Sequence, residues 1–244
     1  MIAFLSDVHG NLEALERVLK EIEKEKVQEI IFLGDAVGYG ANPNETVSLL
    51  KDSTEVALLG NHDAAVIELE NLENYNEYAR VSLLWTKRVL KEDAKDWLKR
   101  LPFMTLYQDE IRLVHSAPRS PRSWKYLFSL YDIWHQFSHF EERICFFGHT
   151  HIQAAYALEE DHIRELNVDK VRFEPGYRYM INPGSVGQPR DGDPRAAFGL
   201  LDPEASIFLF KRVHACQGRF SQENRDVTSI KDNNGKRDDQ ANQG

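Results

Sequence analysis

Asp7-Val8-His9, Gly34-Asp35, Gly60-Asn61-His62-Asp63, His115 and Gly148-His149-Thr150-His151 each close an apolar run, and together they hold nearly every potential metal ligand of the chain. The donors are carboxylate, imidazole and amide oxygen, with no thiolate. That mix suits manganese, iron or zinc better than a soft thiolate site or an all-oxygen calcium cage. A pair of divalent ions roughly 3.5 to 4 Å apart can clamp the attacking and leaving oxygens of an in-line displacement at phosphorus. Such a pair needs a bridging ligand. A carboxylate bridges well because each of its two oxygens can serve one ion, and Asp35, alone on its strand end, is the candidate. The pattern reads as a two-metal hydrolytic site.

The ligands recur at the period of a strand-helix-strand unit. Ile2 to Ser6, Glu29 to Leu33 and Glu55 to Leu59 read as short buried strands, each delivering a polar side chain just past its end. Val114 before His115 and Phe146-Phe147 before Gly148 repeat the arrangement. In parallel α/β sheets the carboxyl ends of neighbouring strands line one crevice, so residues distant in sequence converge there. Asn11 can cap a first helix through Lys24, with Leu12, Leu15, Val18, Leu19 and Ile22 as its apolar stripe. That helix begins directly after Asp-x-His, so its N-terminal dipole adds positive potential near the metals. Asn42-Pro43 opens a second helix, with proline in the tolerated first turn. Residues 75 to 100 read as helical, with Trp85, Val89, Trp97 and Leu98 expected in the core.

From Thr150 onward the pattern turns antiparallel. Gln153 to Leu158 and His162 to Val168 flank Glu159-Glu160-Asp161 as a hairpin, and Lys170 to Glu174, Arg178 to Ile181, Ala196 to Leu201 and Ser206 to Val213 continue as strands. The expected fold is α/β: two packed mixed β-sheets flanked by helices, a four-layer αββα sandwich. His162 and His214 then fall away from the metal blocks.

The ordered series Asp-x-His, Gly-Asp, Gly-Asn-His-Asp, a later His and Gly-His-Thr-His resembles the calcineurin-like metallophosphoesterase superfamily over residues 1 to 214. The resemblance implies that Asp7, His9 and His151 hold one ion, that Asn61, His115 and His149 hold the second, and that Asp35 bridges them. It implies further that His62 faces the scissile ester, where it donates a proton to the leaving oxygen or stabilises the transition state. The implied nucleophile is a bridging hydroxide, since coordination lowers the pKa of bound water toward neutrality.

The protein phosphatases of that superfamily follow Gly-Asp with a second Asp, which partners the His, and an Arg, which grips phosphate. Here the run is Gly34-Asp35-Ala36-Val37-Gly38-Tyr39-Gly40, and both are missing. Without a carboxylate partner His62 is less firmly held protonated, which weakens general-acid help for a poor leaving group. The run, like Asn182-Pro183-Gly184-Ser185-Val186-Gly187, resembles instead the compact prokaryotic phosphodiesterases and nucleotide phosphatases. Pro183 fixes φ and the glycines permit close approach, so Ser185 could present its hydroxyl and N–H to a phosphate; a plain strand-ending turn is the alternative. Arg190, in the polar loop that follows, is the candidate substitute for the missing arginine, against a solvated loop charge. Asn61 and His62 complete the expected substrate contacts.

Residues 119 to 141 form an insertion rich in aromatics: Trp124, Tyr126, Phe128, Tyr131, Trp134, Phe137 and Phe140. Both of its ends start near the crevice, so it could roof the site and stack on a nucleobase, but packing against the sheet is the favoured reading. His135 and His139 imitate a zinc pair at helical spacing. The protease glutamate beside the first His is lacking, and surface or packing roles are expected.

With 244 residues and 42% hydrophobic content, the chain suits one large core. The expectation is a single domain over residues 1–218 and a disordered polar tail over 219–244. No apolar run approaches the ~18 residues of a membrane span, and the start lacks a basic n-region. Cys145 and Cys216 make no disulfide framework, so a cytoplasmic setting is expected. Net charge is −9, which argues against tracking along nucleic acid. Locally, two divalent cations bring four positive charges against one negative each from Asp7, Asp35 and a hydroxide, leaving about one positive charge for phosphate. The expectation is a phosphoesterase carrying two divalent ions, manganese foremost with iron, zinc or nickel as alternatives, acting on small phosphodiesters or nucleotides. A phosphomonoesterase or protein phosphatase is the runner-up, and a non-catalytic metal-binding scaffold the competing class. Oligomeric state carries no signal.

Overall fold

Ile2–Leu5 (β1) is buried along its whole length, as a strand covered on both faces must be. It pairs in parallel with Glu29–Phe32 (β2), register Phe4 to Ile31, and antiparallel with Ala196–Asp202 (β11), register Phe4 to Gly199. The computed structural model describes residues 1–215. Cys216 and the polar tail expected after Gly218 lie outside them.

Between β1 and β2 runs the helix Leu12–Lys24 (α1), whose cap is the Asn11 side chain accepting the Ala14 N–H at 3.1 Å. Ala14, Leu15, Val18 and Ile22 are its buried face. Pro43–Ser53 (α2) follows β2, with proline in its first turn, and leads to the short strand Val56–Ala57 (β3). The expected strand over 55–59 is shorter because Leu59 leaves the ladder to donate its N–H to the Pro102 carbonyl. Asn61–Val66 (α3) then begins directly at the strand end.

Residues 75–100 divide into Glu77–Val89 (α4) and Glu92–Leu98 (α5). The break has a local cause: Asn44 accepts the Lys91 N–H and donates to the Val89 carbonyl, which ends one helix and starts the next. Leu98 and Trp97 are buried as expected, but Val89 is 37% exposed and Trp85 only half-buried. Leu83 and Leu90 take the core positions instead, because the chain turns inward at Leu90.

Met104–Tyr107 (β4), Ile111–Val114 (β5), Leu130–Gln136 (α6), Ile144–Phe146 (β6), Gln153–Glu159 (β7), His162–Glu165 (β8), Lys170–Arg172 (β9), Arg178–Pro183 (β10) and Ile207–Val213 (β12) complete the fold. One sheet has the order β3-β2-β1-β11-β12-β9, the other β4-β5-β6-β10-β7-β8. Both are mixed and six-stranded, and helices cover both outer faces. Among the described residues no helix is long and apolar enough to cross a membrane.

Strand periodicity sorts the core. Ile2 and Phe4 of β1 face the second sheet, while Ala3 and Leu5 face the helices. On β6, Ile144 and Phe146 face inward, while Cys145 packs outward with α6 residue Ile133. Phe4 and Phe146 stack across the sheets at 3.8 Å between ring centroids, a contact whose loss in Phe4→Ala would cost about 3–5 kcal/mol. This clamp places the carboxyl ends of β1, β2, β5 and β6 along one edge of the sandwich.

Candidate metal centre

The loops leaving those strand ends are strained where the polar side chains sit. Asp7, His9, Asp35, His149 and His151 all have positive φ, between 51° and 66°. Left-handed backbone at non-glycine residues is uncommon and persists where the surrounding fold over-determines it. The close approach of these loops also dictates Gly60, where an added Cβ would lie 2.1 Å from Asp35 Oδ1.

Four histidines are oriented by backbone carbonyls. His9 Nδ1 donates to Val37 O (3.1 Å), His115 Nδ1 to Leu33 O (2.8 Å), His151 Nδ1 to Gln188 O (2.7 Å) and His149 Nε2 to Trp124 O (2.8 Å). In the neutral ring, a nitrogen that donates outward fixes the tautomer and leaves the other nitrogen as a lone pair, the arrangement of metal-ligating histidines.

Those inward atoms fall into two groups that share one residue. Asp7, His9, Asp35 and His151 form the first, and Asp35, His115 and His149 the second; within each, one ligand atom per residue lies within 4.8 Å of the others. Asp35 Oδ2 is 3.6 Å from His9 Nε2 and 3.4 Å from His115 Nε2, while His151 Nε2 is 3.3 Å from Asp7 Oδ1. Asp35 Oδ1 also accepts the His62 N–H at 2.8 Å, while Oδ2 faces the two histidine nitrogens.

The donor set fits cations. Asp7 Oδ1 and Asn61 Oδ1 are buried with no hydrogen-bond donor, a costly state for a carboxylate and an amide oxygen unless a positive ion lies against them. Asn61 is held by Tyr75, whose hydroxyl donates to the Asn61 carbonyl at 2.7 Å.

Electrostatics agree with the geometry. Burial alone would lower the His115 pKa, but the charge of Asp35 overrides it and raises His115 to about 9. Burial would raise Asp35, yet His115 and His62 outweigh it and hold the carboxyl well below its usual range. His115 and Asp35 therefore attract one another as a charged pair. Burial drives His149 down to about 3 and lowers His9 and His151 as well, which suits neutral ligands.

Bracing comes from residues whose motif letters give no hint of it. Asp63 accepts the N–H groups of Asp35 (2.9 Å), Gly60 (3.1 Å) and Val37 (3.1 Å), tying two ligand loops together. Asn182 donates to Gly148 O and Thr150 Oγ1 and so fixes the Gly-His-Thr-His loop. Ser185 corrects the sequence reading. The residue is 0% exposed, and its hydroxyl donates to Asp7 O (2.7 Å) and accepts the Gln188 N–H (2.8 Å), so its one hydroxyl hydrogen is already committed.

His62 lies over the cluster, with its ring centroid 4.7 Å from that of His9 and 4.8 Å from that of Tyr39. Burial lowers its pKa to about 4. Its Nδ1 has no partner and packs against Gly38, where an added Cβ would come within 2.4 Å. Arg190 is exposed, hydrogen-bonded to Gln188, and close enough to Tyr39, His9, His62 and His151 to affect their charges.

The aromatic insertion divides between the two readings. Phe137 and Phe140 are buried against the second sheet with α6, as favoured, and His135 and His139 stay outside the cluster. The segment before α6 instead reaches the site. Trp124 supplies the carbonyl for His149, and the Tyr126 ring stacks on His149 at 4.1 Å. The alternation Tyr126-Leu127-Phe128 was the available signal that two of these rings share a side.

Known proteins resemble this chain. An uncharacterized protein of Methanocaldococcus jannaschii is 39% identical over 207 residues, which are 83% of this chain and 82% of that protein. The phosphodiesterase YfcE of Escherichia coli is 23% identical over 211 residues, 82% of this chain and 86% of that one. A metallophosphoesterase structure from Sphaerobacter thermophilus matches with a TM-score of 0.78 at 36% identity, covering 93% of each chain. A family model described as the calcineurin-like phosphoesterase superfamily domain matches residues 1–206. Paired with a buried Asp/His cluster that fits metal, this match identifies the chain as a member of the calcineurin-like phosphoesterase superfamily and a metal-dependent phosphoester hydrolase.

Proposed function

We propose that the protein hydrolyses small phosphodiesters or nucleotide-type substrates at a pair of divalent ions. Asp7, His9 and His151 would hold one ion, Asn61, His115 and His149 the other, and Asp35 would be shared. The observation that carries this reading is Asp35 Oδ2, which stands between His9 Nε2 and His115 Nε2 at 3.6 and 3.4 Å. When bound, divalent ions supply Lewis-acid polarisation of the phosphoryl group and acidify water near neutral pH.

The remaining work belongs to the chain. His62 is neutral at physiological pH, and a hydrogen on Nε2 leaves only an acceptor lone pair unmet at Nδ1. From that position it offers a hydrogen bond to the departing oxygen rather than a full proton. Leaving groups that carry negative charge well, such as a nucleotide phosphate, gain most from a donor of this kind. Arg190 supplies an exposed guanidinium beside Tyr39 for the non-reacting phosphate oxygens. Asp63 and Ser185 hold the loops and contact no substrate.

Similarity to a protein named a phosphodiesterase supports the diester preference. Manganese is the proposed ion, with iron, zinc and nickel accepting the same donors. The net charge of −9 supports small esters over nucleic acid, and the free thiol of buried Cys145 is at home in a reducing cytoplasm.

The test is to strip the protein, reload it with manganese, and compare turnover of bis-p-nitrophenyl phosphate and p-nitrophenyl phosphate, with Asp35→Asn and His62→Ala as controls. Diester turnover abolished in Asp35→Asn is the expected result. A clear monoester preference would move the assignment to a phosphatase, and no turnover with manganese, iron, zinc or nickel would leave a metal-binding scaffold.

A further inference from the structure

Tyr126 and Phe128 form a ladder of parallel rings that begins on a residue of the metal cluster. The Tyr126 ring lies 4.1 Å from the His149 ring at an interplanar angle of 22°, and Phe128 lies 5.3 Å beyond Tyr126 at 6°. Tyr126 is 42% and Phe128 63% exposed, so the ladder ends in an apolar face open to solvent. Exposing a large aromatic ring forfeits burial worth about 1.5–3 kcal/mol.

Contacts along the segment position the ladder. Trp124 O accepts from His149 Nε2 at 2.8 Å on one side. Leu127, 3% exposed, is anchored in the core with Ile133 and Phe137, while its two exposed neighbours stack on one another. Ser129 caps α6 through the Asp132 N–H, and Lys125 pairs with Asp132 at 2.7 Å. A surface whose ordering cost is already met by the fold binds more tightly than a flexible one.

We infer that the Tyr126–Phe128 ladder is a stacking platform for the base of a nucleotide whose phosphates lie in the metal crevice. The inference rests on the phosphoester hydrolase reading above. Its occupant follows from what borders the ladder. One end is continuous with His149, and the crevice also carries the exposed Arg190 guanidinium beside Tyr39. A ligand that joins a flat π-system to an anionic tail meets both features. Stacking tolerates any base, because each presents a π-face, so the platform selects nucleotides as a class rather than one base.

The test is isothermal titration of the manganese-loaded protein with the methylene analogue of ADP, which resists hydrolysis, and with methylenediphosphonate, which keeps the phosphonate pair without the nucleoside. Phe128→Ala and Phe128→Trp are the variants; Phe128 stacks on Tyr126 and touches no ligand of the cluster, so metal content should be unchanged. The ADP analogue should bind more tightly than the diphosphonate. Phe128→Ala should weaken the analogue roughly tenfold and leave the diphosphonate unaffected, while Phe128→Trp should tighten the analogue. Equal affinity of wild type and Phe128→Ala for the analogue, or no preference over the diphosphonate, overturns the platform. Diester turnover without a Phe128 effect removes the platform alone. A Phe128 effect on binding without turnover under any metal removes the catalytic reading and keeps the platform.

Discussion

Asp63 Oδ2 accepts the backbone N–H of Asp35 at 2.9 Å, so one buried carboxylate sets the position of the other. The same Asp63 also receives the Gly60 and Val37 amides. Asp63→Ala would leave three amides without an acceptor, a loss on the order of 3 kcal/mol in stability. Groups that orient ligands in this way typically change metal affinity about 10- to 100-fold when removed. Equilibrium dialysis with manganese and urea unfolding should show both losses, with Asp63→Asn intermediate. Wild-type manganese affinity in Asp63→Ala would refute the positioning role.

His115 gives metal binding a pH signature. Burial lowers its pKa, the Asp35 charge overrides that, and the result is about 9 against the ordinary 6.5. A group raised on folding contributes stability that is complete below 6.5 and is lost as pH rises through 9. Metal needs the neutral ring, so binding expels this proton and its affinity grows with pH across the same window. The melting-temperature gap between manganese-loaded and stripped protein should widen from pH 6.5 to 9. Calorimetry in buffers of different ionisation enthalpy should report release of about one proton near neutrality. A pH-independent affinity with no proton release would contradict the His115–Asp35 pair.

The sequence carries the cluster because ligation demands side-chain types, and strand ends bring those types together. Asp7, His9, Asp35, His115, His149 and His151 are recoverable from letters and spacing alone. Their second partners are not. Val37 O, Leu33 O, Gln188 O and Trp124 O orient the four rings, and a carbonyl belongs to every residue, so no residue type marks it. The same limit hides Ser185, which looks like a phosphate donor but spends its hydroxyl on the Asp7 carbonyl. At Val89 the helical stripe predicts burial; the helix ends there because of Asn44, a residue 45 positions away that no local pattern includes.

Ser185→Ala separates brace from substrate contact. The serine ties Asp7 O to the Gln188 N–H, so its loss should lower stability by about 1–2 kcal/mol. Turnover should fall modestly as the Asp7 loop relaxes, with KM for bis-p-nitrophenyl phosphate unchanged. Thermal melts and steady-state kinetics on one preparation decide it. A several-fold rise in KM with unchanged stability would restore Ser185 to the substrate.

His62 should matter in proportion to how badly the leaving group needs help. Burial holds its pKa at about 4, so near neutrality it stabilises the departing oxygen by a hydrogen bond instead of delivering a proton. The demand for that bond grows with the basicity of the leaving oxygen. Across a series of aryl methyl phosphodiesters, His62→Ala should cost about tenfold for the most acidic phenols and approach ~1,000-fold for the least acidic, near the upper part of the range for a positioned donor. The wild-type kcat/KM profile should carry no limb from His62 between pH 6 and 8, because a group with its pKa at about 4 titrates well below that range. A basic limb near pH 7 that disappears in His62→Ala would mean that the ring works protonated, and the preference for good leaving groups would lose its basis.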